Sequence, residues 1–395
     1  MTLEEQLQGT LAELEQQSLR RSLRALPTTG KYVEVDGRRL LNLAGNDYLA
    51  LAQHPRLVEA AKLAVEAHGV GAGASRLVTG SLDVHAQAER DVARLKHAEA
   101  ALLLPTGFMA NLAVLGALAR PGDLVCQDKL NHASLIDAAR QCGAAVRTYP
   151  HLETAKLERL LAKHRAESPR KRRFIVTDSV FSMDGDCADL PMLCDIADRY
   201  DVVLVVDEAH GTGVFGETGA GLAEAQGVAQ RVYTCGAGGV VVSTASKALG
   251  GMGGIVTGAS LVIDAIVNLA RPFLYSTAIA PPQAAALSAA VEVMRDEPWR
   301  RARLARLSRL ARAELTTMGW PGLEGPYLSP ILPLITGRSC AAITLANRMQ
   351  SQGLLGVAIR PPTVAAHRAR VRLTLRADLE EAELAQAIEK IGPPE

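Results

Sequence analysis

Lys247 stands in Val240-Val241-Val242-Ser243-Thr244-Ala245-Ser246-Lys247-Ala248-Leu249-Gly250-Gly251, between an apolar run and a glycine patch. An ε-amine held out of bulk water there loses basicity and becomes a nucleophile able to form an imine. Lysines are mostly exposed, so the position gains weight only from its surroundings. Forty residues upstream, Val202-Val203-Leu204-Val205-Val206-Asp207-Glu208-Ala209-His210 sets a carboxylate and an imidazole at the end of an apolar strand. Asp207 is suited to pair with a cation such as a protonated pyridine nitrogen; an aspartate capping the next turn is the alternative. His210 could donate to a ring oxygen, or be a hydrogen-bonded core histidine.

An electron-sink cofactor with a phosphate, an aldehyde and a pyridine ring needs a phosphate cradle, an imine-forming lysine, an acid on the ring nitrogen and a stacking surface. The segment Leu102-Leu103-Leu104-Pro105-Thr106-Gly107-Phe108-Met109-Ala110-Asn111 reads as strand, tight turn and helix. Gly107 lets backbone approach an anion, which the following helix N-terminus stabilises; an ordinary βα loop has the same appearance. His132, in Asn131-His132-Ala133-Ser134, opens a helix where a flat imidazole can stack on a ring, unless it is a surface histidine. Each feature is weak alone. Their order on successive strand ends of one sheet is more specific.

Two other motifs fail on context. Asp207-Glu208-Ala209-His210 spells a helicase box, but the one Gly-Lys pair, Gly30-Lys31, has Ala25 in place of the first glycine and Tyr32 in place of Ser or Thr. Gly211-Thr212-Gly213-Val214-Phe215-Gly216 matches a dinucleotide fingerprint, yet its glycines do not join a strand directly to a helix. An NAD-dependent oxidoreductase is the alternative from another class.

Residues 3–24 read as a helix ending in Arg20, Arg21 and Arg24, broken by Pro27-Thr28-Thr29-Gly30. A hairpin follows, with 32–35 turning at Asp36-Gly37 into 40–43. From residue 57 helices (57–68, 109–118, 133–141, 157–163, 193–200) alternate with strands (100–104, 124–126, 145–149, 174–177, 202–206). That order predicts an α/β fold with a mainly parallel sheet covered on both faces. After Pro281-Pro282 the pattern changes to long helices (283–295, 299–317), then strands at 331–335, 357–360 and 371–375, with helices near 341–351 and at the end. The division expected is an arm (1–45), a large cofactor-binding domain (46–280) and a small α+β domain (281–395).

The 395 residues suit two or three domains, and 48% hydrophobic with 22% charged residues describes a globular chain with a sizeable core. Lys+Arg 43 against Asp+Glu 42 gives no global field for nucleic acid or membrane. Six cysteines without a CxxC pair read as lone thiols, and no metal-ligand set is expected. The acidic start Met1-Thr2-Leu3-Glu4-Glu5 is unlike a signal peptide, and no apolar run reaches the ~20 residues of a membrane helix. The cytoplasm is the expected location.

The chain resembles the fold-type I pyridoxal 5′-phosphate (PLP) enzymes, and within them the α-oxoamine synthases, from Asn46-Asp47-Tyr48-Leu49 to Arg370-Val371-Arg372-Leu373. Phe181-Ser182-Met183-Asp184-Gly185-Asp186 and Asp207–Gly213 carry the likeness. Ile359-Arg360-Pro361-Pro362-Thr363-Val364 favours the branch that joins L-alanine to a pimeloyl thioester over glycine-using relatives such as glycine C-acetyltransferase. The resemblance implies a seven-stranded sheet and a homodimer. It implies that Lys247 forms the imine, Asp207 meets the ring nitrogen, His210 the ring oxygen, and that His132 stacks. Gly107, Phe108, Ser182 and Thr244 would serve the phosphate, as would Ser276 and Thr277 of the opposite subunit. Asn46, Arg372 and His132 would face the amino acid, with Arg21 and Thr363 facing the acyl substrate. Gly45 and Ala50 stand where the family has serine and glycine, and Ala365-Ala366-His367-Arg368 replaces its usual continuation after Val364. Some relatives are catalytically dead scaffold subunits, whose mark is a missing lysine; Lys247 is present.

Overall fold

The computed structural model describes residues 1–27 and 30–394; Thr28 and Thr29 of the expected helix break lie outside the described residues. The chain divides into two compact units, one of residues 1–46, 183–185 and 304–395, the other of residues 47–182 and 186–303.

In the first unit the N-terminal helix spans Leu3–Gln16. It stops eight residues before the expected end. Ser18 takes a left-handed φ of 56°, and Leu19 and Arg20 turn their N–H groups back onto the Leu14 carbonyl. The arginine cluster is therefore not helical. Strands β1 (Tyr32–Val35) and β2 (Arg38–Asn42) form the expected antiparallel hairpin. Asp36 and Gly37 at its turn both have positive φ, 51° and 72°, the pattern of a two-residue turn whose twist matches the strands.

The second unit holds a seven-stranded sheet. Its strands are β3 (Ala100–Leu104), β4 (Leu124–Asp128), β5 (Ala145–Tyr149), β6 (Arg173–Asp178), β7 (Val203–Asp207), β8 (Gly239–Thr244) and β9 (Gly254–Gly258). Their spatial order is β3-β9-β8-β7-β6-β4-β5. The pairs β5–β4, β4–β6, β6–β7 and β7–β8 are parallel, and β9 runs antiparallel to both its neighbours. The mainly parallel sheet was legible because β6, β7 and β8 are apolar on both faces, as a doubly covered sheet requires. Leu102, Val176, Val205, Val240 and Val256 pack with Ala110, Val114 and Leu115 of the helix Gly107–Leu118. The helix Pro281–Asp296 packs on the helices Pro55–His68 and Asp83–Leu95, so residue 281 falls inside this unit.

The first unit adds β10 (Ile331–Gly337), β11 (Leu354–Leu355), β12 (Val357–Ile359) and β13 (Ala369–Thr374). Strand β13 lies between β10 and β12, antiparallel to both, and β11 extends the hairpin alongside β2. Among the described residues no helix is long and apolar enough to cross a membrane, and no group of three or more His, Cys, Asp or Glu could hold a metal ion.

Candidate active site

Parallel strands aim their C-terminal ends one way, and α/β sheets bind ligands there. In the second unit β6, β7 and β8 end in Asp178, Asp207 and Thr244. Beside them lies a cavity of about 220 Å³ lined by Thr106, Gly107, Phe108, His132, Ser134, Asp178, Asp207, Ala209, His210, Thr244, Ser246 and Lys247. Of the residues expected for this site, Lys247, Asp207, His132, His210, Gly107, Phe108 and Thr244 meet here. Ser182, Ser276 and Thr277 belong to the same unit but do not line the cavity.

One end of the cavity is built for an anion. Thr106 caps the 12-residue helix that follows it, its side chain accepting from the Met109 N–H. The first-turn N–H groups behind that cap have no intrahelical acceptor and carry the positive end of the helix. The Thr244 hydroxyl lines the same end, donating to the Gly253 carbonyl at 2.9 Å and lying 2.8 Å from the Ser246 hydroxyl. A Cβ at Gly254 would fall 2.2 Å from the Thr106 carbonyl, so only glycine fits beneath this loop.

The other end holds carboxylates and imidazoles. Asp207 is buried, with Oδ1 accepting from the Ala209 N–H at 2.8 Å and Oδ2 from Asn111 Nδ2 at 2.7 Å. Its strand-pairing partner on β6, Asp178, accepts the His132 N–H at 2.7 Å. Burial and the nearby Asp207 charge push Asp178 well above the usual carboxylate range, against the lowering effects of the His132 N–H and Lys247. His132 caps the helix Ala133–Gln141. Its Nδ1 accepts from the Ser134 N–H at 3.3 Å and lies 2.7 Å from the Ser134 hydroxyl, so the ring proton sits on Nε2. Burial lowers its pKa, Asp207 opposes that, and Lys247 reinforces it; the ring is neutral at physiological pH. His210 is held by the Tyr48 hydroxyl, 2.7 Å from Nδ1.

Behind this wall Glu208 is fully buried, accepting the N–H groups of Leu222 and Ala223 at 3.0 and 2.8 Å and the Ser179 hydroxyl at 3.1 Å. The buried Lys96 donates to the Thr212 hydroxyl at 3.1 Å and to the Ala220 carbonyl. Burial lowers its pKa against the pull of Glu208, Glu224 and Asp207. These groups fix the loop that follows Asp207.

The donor set fits a phosphorylated pyridine aldehyde: anion donors, a lysine, a carboxylate and a flat imidazole share one cavity.

In the first unit Arg372, on β13, donates from Nη1 to Asn46 Oδ1 at 3.1 Å, so two residues expected to face the amino acid are paired. Arg21 donates to the Pro361 carbonyl at 3.1 Å, and the Thr363 N–H meets the neighbouring Arg360 carbonyl. Arg20 instead turns to Glu15, 3.5 Å away.

Sequence reasoning missed Asp178, Ser134, Asn111 and Tyr48. Asp178 ends Phe174-Ile175-Val176-Thr177 as Asp207 ends its own apolar run, so the same strand-end signal applied. Asn111 and Ser134 follow Gly107 and His132 by four and two residues, a spacing that carries no signal before the helices are placed.

A family model for class I and II aminotransferases matches residues 38–391. The 8-amino-7-oxononanoate synthase of Geobacter sulfurreducens is 42% identical over 384 residues, covering 96% of this chain and 95% of that relative. Among solved structures, serine palmitoyltransferase from S. paucimobilis with a bound PLP–myriocin aldimine matches with a TM-score of 0.91 at 25% identity, over 99% of this chain and 98% of that one. 8-Amino-7-oxononanoate synthase from Francisella tularensis matches with a TM-score of 0.74 at 26% identity, over 89% of this chain and 96% of that one.

Proposed function

The chain belongs to the class I and II aminotransferase family and, within it, to the 8-amino-7-oxononanoate synthases, and from that premise we propose that it is a PLP-dependent acyltransferase joining L-alanine to a pimeloyl thioester. The products are 8-amino-7-oxononanoate, carbon dioxide and the free thiol carrier, a step of biotin biosynthesis. The observation that carries the reading is the cavity in which Lys247, Asp207, His132 and the 107–108 helix start converge.

When bound, the cofactor supplies an electron sink for the negative charge left on the amino acid's α-carbon. Lys247 would hold the cofactor through its amine, and the same amine would serve as general base for the amino acid's α-proton. Asp207, with N–H donors on both oxygens, would hold a proton on the ring nitrogen. His132 would offer a flat wall to the ring, and His210, held by the Tyr48 hydroxyl, would serve the ring oxygen. Gly107, Phe108 and Thr244 take the phosphate, with Ser182 assigned to the same group. Holding the reacting bond in one orientation supplies much of the acceleration. In the other unit, Asn46 and Arg372 are assigned the amino acid carboxylate, the guanidinium by a two-pronged hydrogen bond. Arg21 and Thr363 are assigned the acyl substrate.

The reading includes a cytoplasmic homodimer in which Ser276 and Thr277 reach the opposite subunit's phosphate. An exposed apolar surface supports it: Val70, Leu77, Val78 and Tyr275 stand out from two segments joined by the Ser75–Thr277 bridge.

The test is an assay of L-alanine with pimeloyl-CoA, following released thiol. Turnover with alanine and none with glycine supports the reading. Turnover with glycine alone assigns the chain to another α-oxoamine reaction.

A further inference from the structure

Asn111 is buried on the inward face of the helix Gly107–Leu118, and its side-chain nitrogen donates twice, to Asp207 Oδ2 at 2.7 Å and to the Ser134 hydroxyl at 2.8 Å. The two partners fix which way the amide points. Turned over, its oxygen would face the Asp207 carboxylate. The cost of this orientation is visible, because Asn111 Oδ1 is a buried acceptor without a partner. Leaving a buried polar atom unpaired lowers stability, and a fold keeps such an atom where another requirement outweighs it. The Ser134 hydroxyl, having accepted from Asn111, has its proton free for His132 Nδ1, 2.7 Å away. One amide, with Ser134, therefore links the Asp207 carboxylate to the His132 imidazole.

We propose that Asn111 is a positioning residue for the reaction. Its amide clamps Asp207 as a pure acceptor toward the ring nitrogen and, through Ser134, sets His132 with its proton on Nε2. The inference rests on the reading of Asp207 as the partner of a bound PLP ring. The titratable groups that interact with Asp207 are Asp178 from β6, His132 from the helix start and Lys96 behind the sheet, while Lys247, from the turn after β8, acts on Asp178 and His132. Asn111 acts on it by a direct donor hydrogen bond. Donation to a carboxylate favours its charged form. Without that bond Asp207 becomes a stronger base and draws the ring proton toward itself. The ring is then less electron-poor, and the nitrogen joining it to Lys247 becomes more basic.

The test is the pH dependence of the visible absorption of PLP-loaded protein, compared among wild type, Asn111→Leu, Asp207→Asn and the double variant. The expected result is an upward midpoint shift of about half a pH unit for Asn111→Leu, a larger one for Asp207→Asn, and a double variant indistinguishable from Asp207→Asn, because Asn111 acts through that carboxylate. Equal, additive shifts in both backgrounds would overturn the proposal, as would an Asn111→Leu curve that superimposes on wild type. Should Asn111→Leu not fold, the nearly isosteric Asn111→Asp replaces the donor by an acceptor and must shift the midpoint in the same direction. If borohydride fixes no PLP on Lys247 of the wild type, the parent reading falls. If it does and Asn111→Leu changes nothing, only this inference falls.

Discussion

His151 lies between two carboxylates, its Nδ1 2.9 Å from Asp128 Oδ1 and its Nε2 2.6 Å from Asp186 Oδ2, with its ring edge-on to Phe181 at 4.4 Å. Burial alone would lower its pKa, but the hydrogen bonds and charges of Asp128 and Asp186 outweigh burial and push it up to about 9, from an ordinary 6.5. Its charged form thus ties β4 to the segment that begins with Phe181 and Ser182. A pKa raised on folding stabilises the fold fully below the unfolded value, near pH 6.5, and that stabilisation is lost as pH rises through about 9. Raising it from 6.5 to about 9 corresponds to about 3 kcal/mol. Asp186 is 36% exposed, so solvent screening reduces the expectation to about 2 kcal/mol. His151→Gln keeps hydrogen-bonding capacity and cannot charge. In urea unfolding, wild type should exceed His151→Gln by about 2 kcal/mol more at pH 6 than at pH 9.5. A difference that does not change with pH would refute the reasoning.

Lys247→Ala should abolish the visible band of bound PLP and lower turnover by about 10²–10⁴-fold; retained turnover would remove Lys247 as the base. Asp207→Asn should still bind PLP, by spectral titration, yet show little of the long-wavelength absorbance that L-alanine elicits in wild type. Arg372→Lys loses the planar fork and should raise the KM for L-alanine about tenfold, and an unchanged KM would free Arg372 from that role. In Gly211→Ala the new Cβ would lie 1.9 Å from Glu208 Oε2, which also accepts the Leu222 N–H. The forced displacement should cost about 2–3 kcal/mol in unfolding free energy.

The central strands were legible because burial on both faces makes them continuous apolar runs, ending at chemically distinctive residues such as Asp207. The missed elements lack that contrast. Strand β9 is three apolar or β-branched residues, Ile255, Val256 and Thr257, between glycines. The helix Asp83–Leu95 buries His85, Ala88, Val92 and Ala93, a face too small and too polar to read as an apolar stripe. The N-terminal helix was over-extended because helix-forming residues continue past Gln16, while the stop is a backbone conformation at Ser18. In the site, strand ends pointed to Asp207 and Lys247, whereas Asn111 and Tyr48 acquire meaning only from partners 96 and 162 residues away. Pairings of that range are set by the fold and leave no local pattern. The six cysteines are free thiols, three of them buried, and Cys340 is exposed.

The most direct measurement is peptide mapping by mass spectrometry after wild-type protein is incubated with PLP and reduced with borohydride. A phosphopyridoxyl group on the peptide containing Lys247 is the predicted result. Unmodified Lys247, or a label confined to other lysines, would contradict it.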